Sequence, residues 1–285
     1  MLWIAGIFTV LVCVLGGYAA SGGHVEGLWQ PLEFLIIGGT AIGALLTSST
    51  MASIKEIPGA MGRLFKGPRY TKASYQELLS VLYAVFKTIR SKGILEIEKH
   101  IETPKDSDLF KAFPKFLADE QAMTFLCDYL RMLTMGTENP TEVEAVLDEE
   151  LDTLHEQTMN LPAIFQGVAE GLPALGIVAA VLGVIHTMGA ISQPPEVIGH
   201  MVGSALVGTF AGILLSYGFI GPMSNGLKAI GSTDLKFFEA IKSGILAHMH
   251  GYPPSVSVEF ARKSIYHENR PTFYEIEKAV EEVSV

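Results

Sequence analysis

The sequence is poor in the residues and motifs on which enzymes and disulfide-rich domains depend. Its 285 residues include only two cysteines, Cys13 in an apolar segment and Cys127 in a polar one, so neither a disulfide framework nor a metal site is indicated. There is no phosphate-binding glycine loop, no HExxH zinc motif and no GxSxG nucleophile elbow. The eight histidines are scattered singly. We therefore predict that the protein is not an enzyme and needs no cofactor.

Basic residues are absent from the first 50 positions and from a short stretch at 192–200. All 20 Lys and Arg lie within 51–166 or after residue 222. Because Lys and Arg are concentrated in the cytoplasmic loops of membrane proteins, both long polar segments are predicted to be cytoplasmic. No basic stripe typical of nucleic-acid binding is present, so no nucleic-acid partner is predicted.

Apolar residues, in contrast, are abundant and occur in long segments. They make up 49% of the chain, and the mean hydropathy is +0.35. Four apolar windows cover 2–20, 32–48, 171–191 and 201–222. The third has no charged residue in 21 positions and, at about 1.5 Å per residue, is long enough to cross a hydrocarbon core of about 30 Å. The fold class is therefore predicted to be all-α, with four transmembrane helices and a helical cytoplasmic domain between the second and third.

These windows divide the chain into four predicted segments. The segments are 1–50 with transmembrane helices 1 and 2, 51–166 as the cytoplasmic helical domain, 167–224 with helices 3 and 4, and 225–285 as a C-terminal cytoplasmic segment. Basic and apolar residues are interleaved over 51–68, a pattern that suits a helix on anionic membrane lipids. The C-terminal segment is amphipathic but contains the stretch GYPPSVSVEF at 251–260, which we predict to be irregular.

Helical spacing of apolar residues is clear in the cytoplasmic domain. From Tyr75 to Ile89 they recur every three or four positions, which predicts a helix that ends near Gly93. A second helical region is predicted from about Pro114 to Met135. A third is predicted to start at Thr141, with a capping box between Thr141 and Glu144.

Pro173 lies near the start of the third apolar window and admits two interpretations. It is either a proline in the first turn of that helix or an interior proline of a helix that begins earlier, near Leu161 and Pro162. Glu170, just before the apolar run, favours the second interpretation. An interior Pro173 would leave the Ala169 carbonyl without its helical donor and create a kink.

The fourth apolar window carries small residues along one face and ends at a second proline, Pro222, which is predicted to close the helix. The stripe is Ser204, Gly208, Gly212 and Ser216, which predicts close packing of a neighbouring helix. Thr209 lies beside the stripe. Because the third and fourth windows contain no Asp, Glu, Lys or Arg, the chain is either a structural membrane protein or obtains an ion-binding carboxylate from a partner. Glu33 lies near the start of the second window.

Five stretches of the sequence carry a resemblance to a known family. They are LWQPLEFLIIGG at 28–39, RSKGILEIEKHIE at 90–102, GLPALGIVAAVLGVIHTMG at 171–189, PPEVIGHMVGSALVGTFAGILLSYGFIGP at 194–222 and GYPPSVSVEFARKSIY at 251–266. Together they resemble the MotA family, the stator subunits of the bacterial flagellar motor. The similarity runs nearly from end to end.

The resemblance implies a homopentamer in the bacterial inner membrane around a MotB dimer that supplies the essential Asp. Ion passage would rotate the pentamer and turn the rotor through the switch protein FliG. Implied ion-path and coupling residues are Pro173, Ala180, Thr209, Tyr217 and Pro222, and implied rotor-contact residues are Arg90 and Glu98. Sodium-driven relatives tend to have Thr where this chain has Ala180, so the expected coupling ion is the proton.

Two other functions remain open at this point. The ExbB and TolQ subunits are distant relatives of the same superfamily that also transduce energy, but they have three membrane spans. An ion-independent scaffold of the inner membrane would also be compatible with the small-residue stripes. Four predicted spans favour the stator.

Overall fold

A computed structural model describes residues 2–137 and 139–281, except for the side chain of Leu2. Within those residues all regular structure is helical and no β-strand occurs, which confirms the predicted all-α class. The chain forms two compact units. The first comprises the residues up to Gly67 together with Gln157–Ile230, and the second comprises Pro68–Glu156 together with the residues from Gly231 onward.

The helices of the described residues are numbered in chain order. They are α1 Leu2–Leu11, α2 Gly17–Ala20, α3 Pro31–Ser48, α4 Met51–Lys66, α5 Lys72–Lys92, α6 Leu95–Glu102, α7 Asp108–Lys111, α8 Pro114–Leu117, α9 Glu120–Thr134, α10 Pro140–Gly189, α11 Pro195–Ile213, α12 Gly221–Met249, α13 Pro254–Ser264 and α14 Phe273–Glu281. Val12–Gly16 and Leu214–Ile220 are π-helical, and Val25–Leu28 forms a 3₁₀ turn.

Four helical stretches of the described chain are long and apolar enough to cross a membrane. They are Trp3–Ala20, Val25–Ser48, Pro140–Gly189 and Pro195–Met249. This confirms the predicted number of spans. The third and fourth are 50 and 55 residues long, so the apolar windows predicted from the sequence are only parts of them.

The predicted start of the third membrane helix, near Leu161, is wrong. α10 begins at Pro140, so the expected third cytoplasmic helix and the third membrane helix are one continuous helix. The predicted capping box at Thr141 is also wrong, because the cap is Asn139. Its Oδ1 accepts the N–H of Thr141 at 3.1 Å, and its Nδ2 donates to Glu142 at 2.9 Å. Pro140 then occupies the first turn, where a missing N–H costs nothing.

Two further expectations need correction in the polar segments. The region 114–135 contains two helices rather than one, because Asp119 stops α8 and caps α9 by accepting the N–H of Ala122 at 3.1 Å. The stretch 251–260 is irregular only at 251–253, and 254–260 is helical. Pro253 and Pro254 start α13, since the fixed backbone angle of proline suits the first turn of a helix.

The second unit is built around α5, whose predicted apolar face is confirmed. Its fully buried side chains include Leu78, Leu79, Leu82, Val85 and Phe86. They pack with α9, α13 and the part of α12 that lies in this unit. α5 ends at Lys92, and Gly93 follows with φ of +91°, a left-handed conformation that glycine adopts without strain.

In the first unit, α10 and α11 approach so closely that their backbones touch. A methyl group added to Gly212 would lie 2.6 Å from the Leu172 carbonyl oxygen and 2.9 Å from the Gly176 Cα. One added to Gly176 would lie 2.8 Å from the Gly208 carbonyl oxygen. The predicted close packing of the small-residue stripe is therefore confirmed at Gly208 and Gly212, and its partner is α10.

We expect Gly212→Ala to lower the stability of the membrane unit by about 1–3 kcal/mol, because the new methyl meets backbone atoms that cannot rotate away. Gly203→Ala is the matched control, since a methyl there meets no atom within 4 Å. The measurements are the amount of each variant in the membrane and its thermal unfolding midpoint in detergent. Equal midpoints for the two variants would contradict the close contact.

Candidate functional site

Pro173 lies inside α10, the second of the two positions that the sequence allowed. Because proline has no N–H, the carbonyl of Ala169 loses its helical donor. In the structure, the hydroxyl of Ser216 donates a hydrogen bond to that carbonyl at 2.6 Å. Ser216 is only 2% exposed, so the bond is shielded from solvent. The Ala169 carbonyl, which Pro173 leaves without a helical donor, is thus paired with a side chain from the fourth membrane span.

Pro222 does not close the fourth membrane helix, contrary to the prediction from the sequence. The segment before it, Leu214–Ile220, is π-helical, and the N–H of Gly221 bonds to the carbonyl of Ser216, five residues earlier. In a regular α-helix the proline ring would clash with the carbonyl four residues before it. The wider π turn relieves that clash, so the helical path continues as α12 to Met249.

Two of the predicted ion-path residues, Ala180 and Thr209, lie at the close contact of α10 and α11. A methyl group on Gly208 would lie 3.3 Å from the backbone nitrogen of Ala180, and one on Gly176 would lie 3.3 Å from the Cα of Thr209. Both residues are partly exposed. The two positions therefore both adjoin the glycine contact, Ala180 beside Gly208 and Thr209 beside Gly176.

The other two positions on this helical path, Tyr217 and Pro222, lie on the surface of the unit. Tyr217 is 74% exposed and belongs to the π-helical segment, and Pro222 is exposed at the start of α12. Tyr217 follows Thr209 by eight residues, about 12 Å along a helix axis. The predicted set is therefore spread along the helical path rather than gathered in one pocket.

Glu33 on α3 is a functional candidate that the sequence reasoning did not select. A methyl group on Gly208 would lie 3.0 Å from its Oε2, and one on Gly183 would lie 3.4 Å from its Oε1. Its carboxylate therefore enters the α10–α11 contact from α3. Its Oε2 is buried without a hydrogen-bond partner among the described residues. The available signal was a single acidic residue in an apolar span, because such a residue marks function more often than packing.

The predicted rotor-contact residues both lie on the surface of the second unit. Arg90 is exposed in the last turn of α5, and Glu98 is exposed on α6. Glu96, two positions before, forms an ion pair with Lys99, and the hydrogen bond from Lys99 holds the pKa of the Glu96 carboxyl below its usual value. Arg90 and Glu98 thus present opposite charges on either side of the turn at Gly93.

A cleft of about 880 Å³ opens in the second unit near this turn. Its charged groups are largely paired within the chain. Lys99 is paired with Glu96, and Glu77 accepts the N–H groups of Lys115 and Phe116 at 2.8 and 3.1 Å. Over residues 2–137 and 139–281, no cluster of three or more His, Cys, Asp or Glu side chains is placed to hold a metal ion.

The fold is similar to that of solved flagellar stator subunits. One solved chain, from the structure of C. jejuni MotAB, superposes on this chain with a TM-score of 0.75 at 21% identity. The superposition covers 93% of this chain and 96% of the C. jejuni chain. A chain of the flagellar MotAB stator complex from Bacillus subtilis has a TM-score of 0.71 at 25% identity, with 90% and 92% covered. The arrangement of helices is therefore one that stator complexes share.

The sequence comparisons identify the family. Residues 4–93 match the family described as Motility protein A N-terminal, and residues 118–239 match the MotA/TolQ/ExbB proton channel family. Motility protein A of Salmonella typhimurium is 40% identical over 284 residues, which are 99% of this chain and 96% of that protein. A match of this identity over nearly the whole of both chains shows that the protein belongs to the motility protein A family of proton-channel subunits.

Proposed function

We propose that this chain is the flagellar stator subunit that, with a MotB-type partner, forms a proton channel and converts the ion-motive force into rotation of the flagellar rotor. The observation that carries the proposal is the 40% identity to Motility protein A over nearly the full length. Four candidate membrane-spanning helices also favour it over ExbB- and TolQ-type subunits, which have three. The protein is a multi-pass protein of the bacterial inner membrane.

The orientation and assembly form part of the proposal. Both polar segments, 51–166 and 225–285, lie in the cytoplasm, because the connecting stretches 21–31 and 192–200 contain no Lys or Arg. Five copies surround a MotB dimer, and the cytoplasmic surface with Arg90 and Glu98 contacts the rotor protein FliG. The four-segment division of the chain described above belongs to the same proposal.

The chemistry of the membrane helices explains why a partner is needed. One elementary charge that crosses the membrane releases about 2.3 kcal/mol of free energy per 100 mV of membrane potential. A protein can convert this free energy into movement only if it binds the ion partway across. α10 and α11 meet through glycine and alanine, and their polar groups at the predicted path are the Thr209 and Tyr217 hydroxyls. The carboxylate of Glu33 on α3 also reaches this contact, but it stays with its own subunit. A carboxylate on the partner helix therefore supplies the proton-binding group that moves from one subunit to the next.

Protonation of that carboxylate drives the movement in this scheme. A charged carboxylate is strongly disfavoured beside apolar walls, whereas the neutral acid is not. Binding a proton therefore lets the partner's side chain leave one subunit and pass the small residues at the helix contact. Release of the proton charges it again in the next subunit. Repetition around a ring of identical subunits produces rotation, and bending at Pro173 transmits each step along α10.

The coupling ion is the proton in this proposal. A dehydrated sodium ion needs several oxygen ligands, as hard cations do. Ala180 provides no side-chain oxygen where sodium-driven relatives tend to have Thr. The side-chain oxygens that remain near this contact are the Thr209 hydroxyl and the Glu33 carboxylate, fewer than a dehydrated sodium ion needs. A carboxylic acid, in contrast, holds a proton without further ligands.

Reconstitution in liposomes tests the channel. We expect no proton current from this chain alone, a current when the partner is added, and loss of that current when the acidic residue in the partner's membrane helix is changed to Ala. The current should persist when sodium is removed at constant proton gradient. A current without the partner would remove the basis of the proposal, and dependence on sodium would overturn the choice of ion.

Charge reversal tests the rotor contact. We expect Arg90→Glu or Glu98→Lys to reduce swimming strongly at unchanged membrane abundance, because exposed charges contribute only about 0–1 kcal/mol to stability. Lys278→Glu and Glu277→Lys make the same changes of charge at exposed positions of α14 and serve as controls. Swimming equal to that of the controls would reject a contact role for the pair.

A further inference from the structure

α10 has two interior prolines, Pro162 and Pro173, and each leaves the carbonyl four residues earlier without its helical donor. The one at Pro173 lies beside the apolar run of the third membrane helix. Pro173 removes the donor for the carbonyl of Ala169, and Ala169 is only 3% exposed, so water cannot easily replace that donor. The hydroxyl of Ser216 occupies this position with a bond of 2.6 Å, formed between residues 47 positions apart in the chain. Ser216 therefore does more than provide a small side chain for helix packing.

Ser216 is also part of the irregular segment of the fourth membrane span. It lies within the π-helical segment Leu214–Ile220, and its carbonyl accepts the N–H of Gly221, the residue just before Pro222. One residue is thus bonded through its hydroxyl to the turn at Pro173 and through its carbonyl to the turn at Pro222. The two proline sites are joined by consecutive hydrogen bonds through Ser216.

A second serine provides an internal comparison. The hydroxyl of Ser224 donates to the carbonyl of Pro162 at 2.7 Å, also between the fourth and third membrane helices, and Ser224 is 3% exposed. The carbonyl of Pro162, however, has a regular donor, because residue 166 is Gln and carries an N–H. The two serines form similar bonds, and only the bond of Ser216 pairs a carbonyl that has lost its helical donor.

We propose that Ser216 is a positioning residue that holds the turn of α10 at Pro173 against the π-helical segment before Pro222. While the bond is intact, the hydroxyl of Ser216 ties the turn of α10 at Pro173 to the π-helical segment. A bend of α10 at Pro173 therefore also moves the backbone of that segment before Pro222. This inference rests on the proposed stator function, because it assigns to Ser216 the coupling of the two prolines during proton-driven movement. It concerns no residue that touches the proton itself.

A double-mutant cycle in the full-length protein with its partner tests the bond itself. Pro173→Ala restores an N–H that can pair with the carbonyl of Ala169, which makes the hydroxyl of Ser216 unnecessary. We expect Ser216→Ala to lower the thermal midpoint clearly when residue 173 is Pro and little when it is Ala. Ser216→Thr keeps a hydroxyl and should retain most of the stability, and Ser224→Ala should show the same effect in both backgrounds. Equal loss from Ser216→Ala in both backgrounds would overturn the proposal.

The positioning role is tested by proton flux at equal amounts of assembled complex. We expect Ser216→Ala to reduce partner-dependent flux about five-fold, the change in an equilibrium that one hydrogen bond produces. Ser216→Thr should restore flux, and Ser224→Ala should leave it unchanged. Normal flux in an assembled Ser216→Ala complex would overturn the positioning role. It would leave the stator function in place, because that function fails only if the unsubstituted chain and its partner conduct no protons.

Discussion

The close approach of α10 and α11 is the constraint on which the rest of the membrane unit depends. Gly176, Gly208 and Gly212 leave no space for a side chain between the two backbones. Apolar side chains gain little by leaving lipid, so membrane helices associate through close packing and interhelical hydrogen bonds. The short distance also allows the hydroxyl of Ser216 to reach the carbonyl of Ala169. A larger side chain in this contact would separate the helices and break that bond.

Irregular backbone in a membrane persists only where other groups satisfy its hydrogen bonds. Pro173 and Pro222 create two such irregularities in neighbouring helices, and both are resolved locally, one by a serine hydroxyl and one by a π turn. Each helix thus remains continuous while keeping a position where it can bend. This combination suits a protein that has to transmit movement without losing its fold, and it is consistent with the stator function proposed above.

The sequence predicted those parts of the fold that depend on local patterns. The apolar face from Tyr75 to Phe86, the four spans and the interior position of Pro173 follow from periodicity, length and the placement of Glu170. The starts of α10 and α13 were missed, because Pro140 and Pro254 were not recognised as first-turn residues. Continuation past Pro222 could not be inferred either, since a π turn has no clear sequence signature. The bond of Ser216 and the insertion of Glu33 join distant parts of the chain, which periodicity does not address.

The continuity of α10 through Pro173 can be measured most directly by amide hydrogen exchange of the unsubstituted protein with its partner in lipid nanodiscs. If the glycine contact and Ser216 hold this turn closed, residues 168–177 should exchange as slowly as residues 161–167 of the same helix. The exposed 3₁₀ turn Val25–Leu28 provides the fast reference. Rapid exchange confined to residues 168–177, with slow exchange on both sides, would show an open turn and contradict the close contact as the constraint that holds the two helices together.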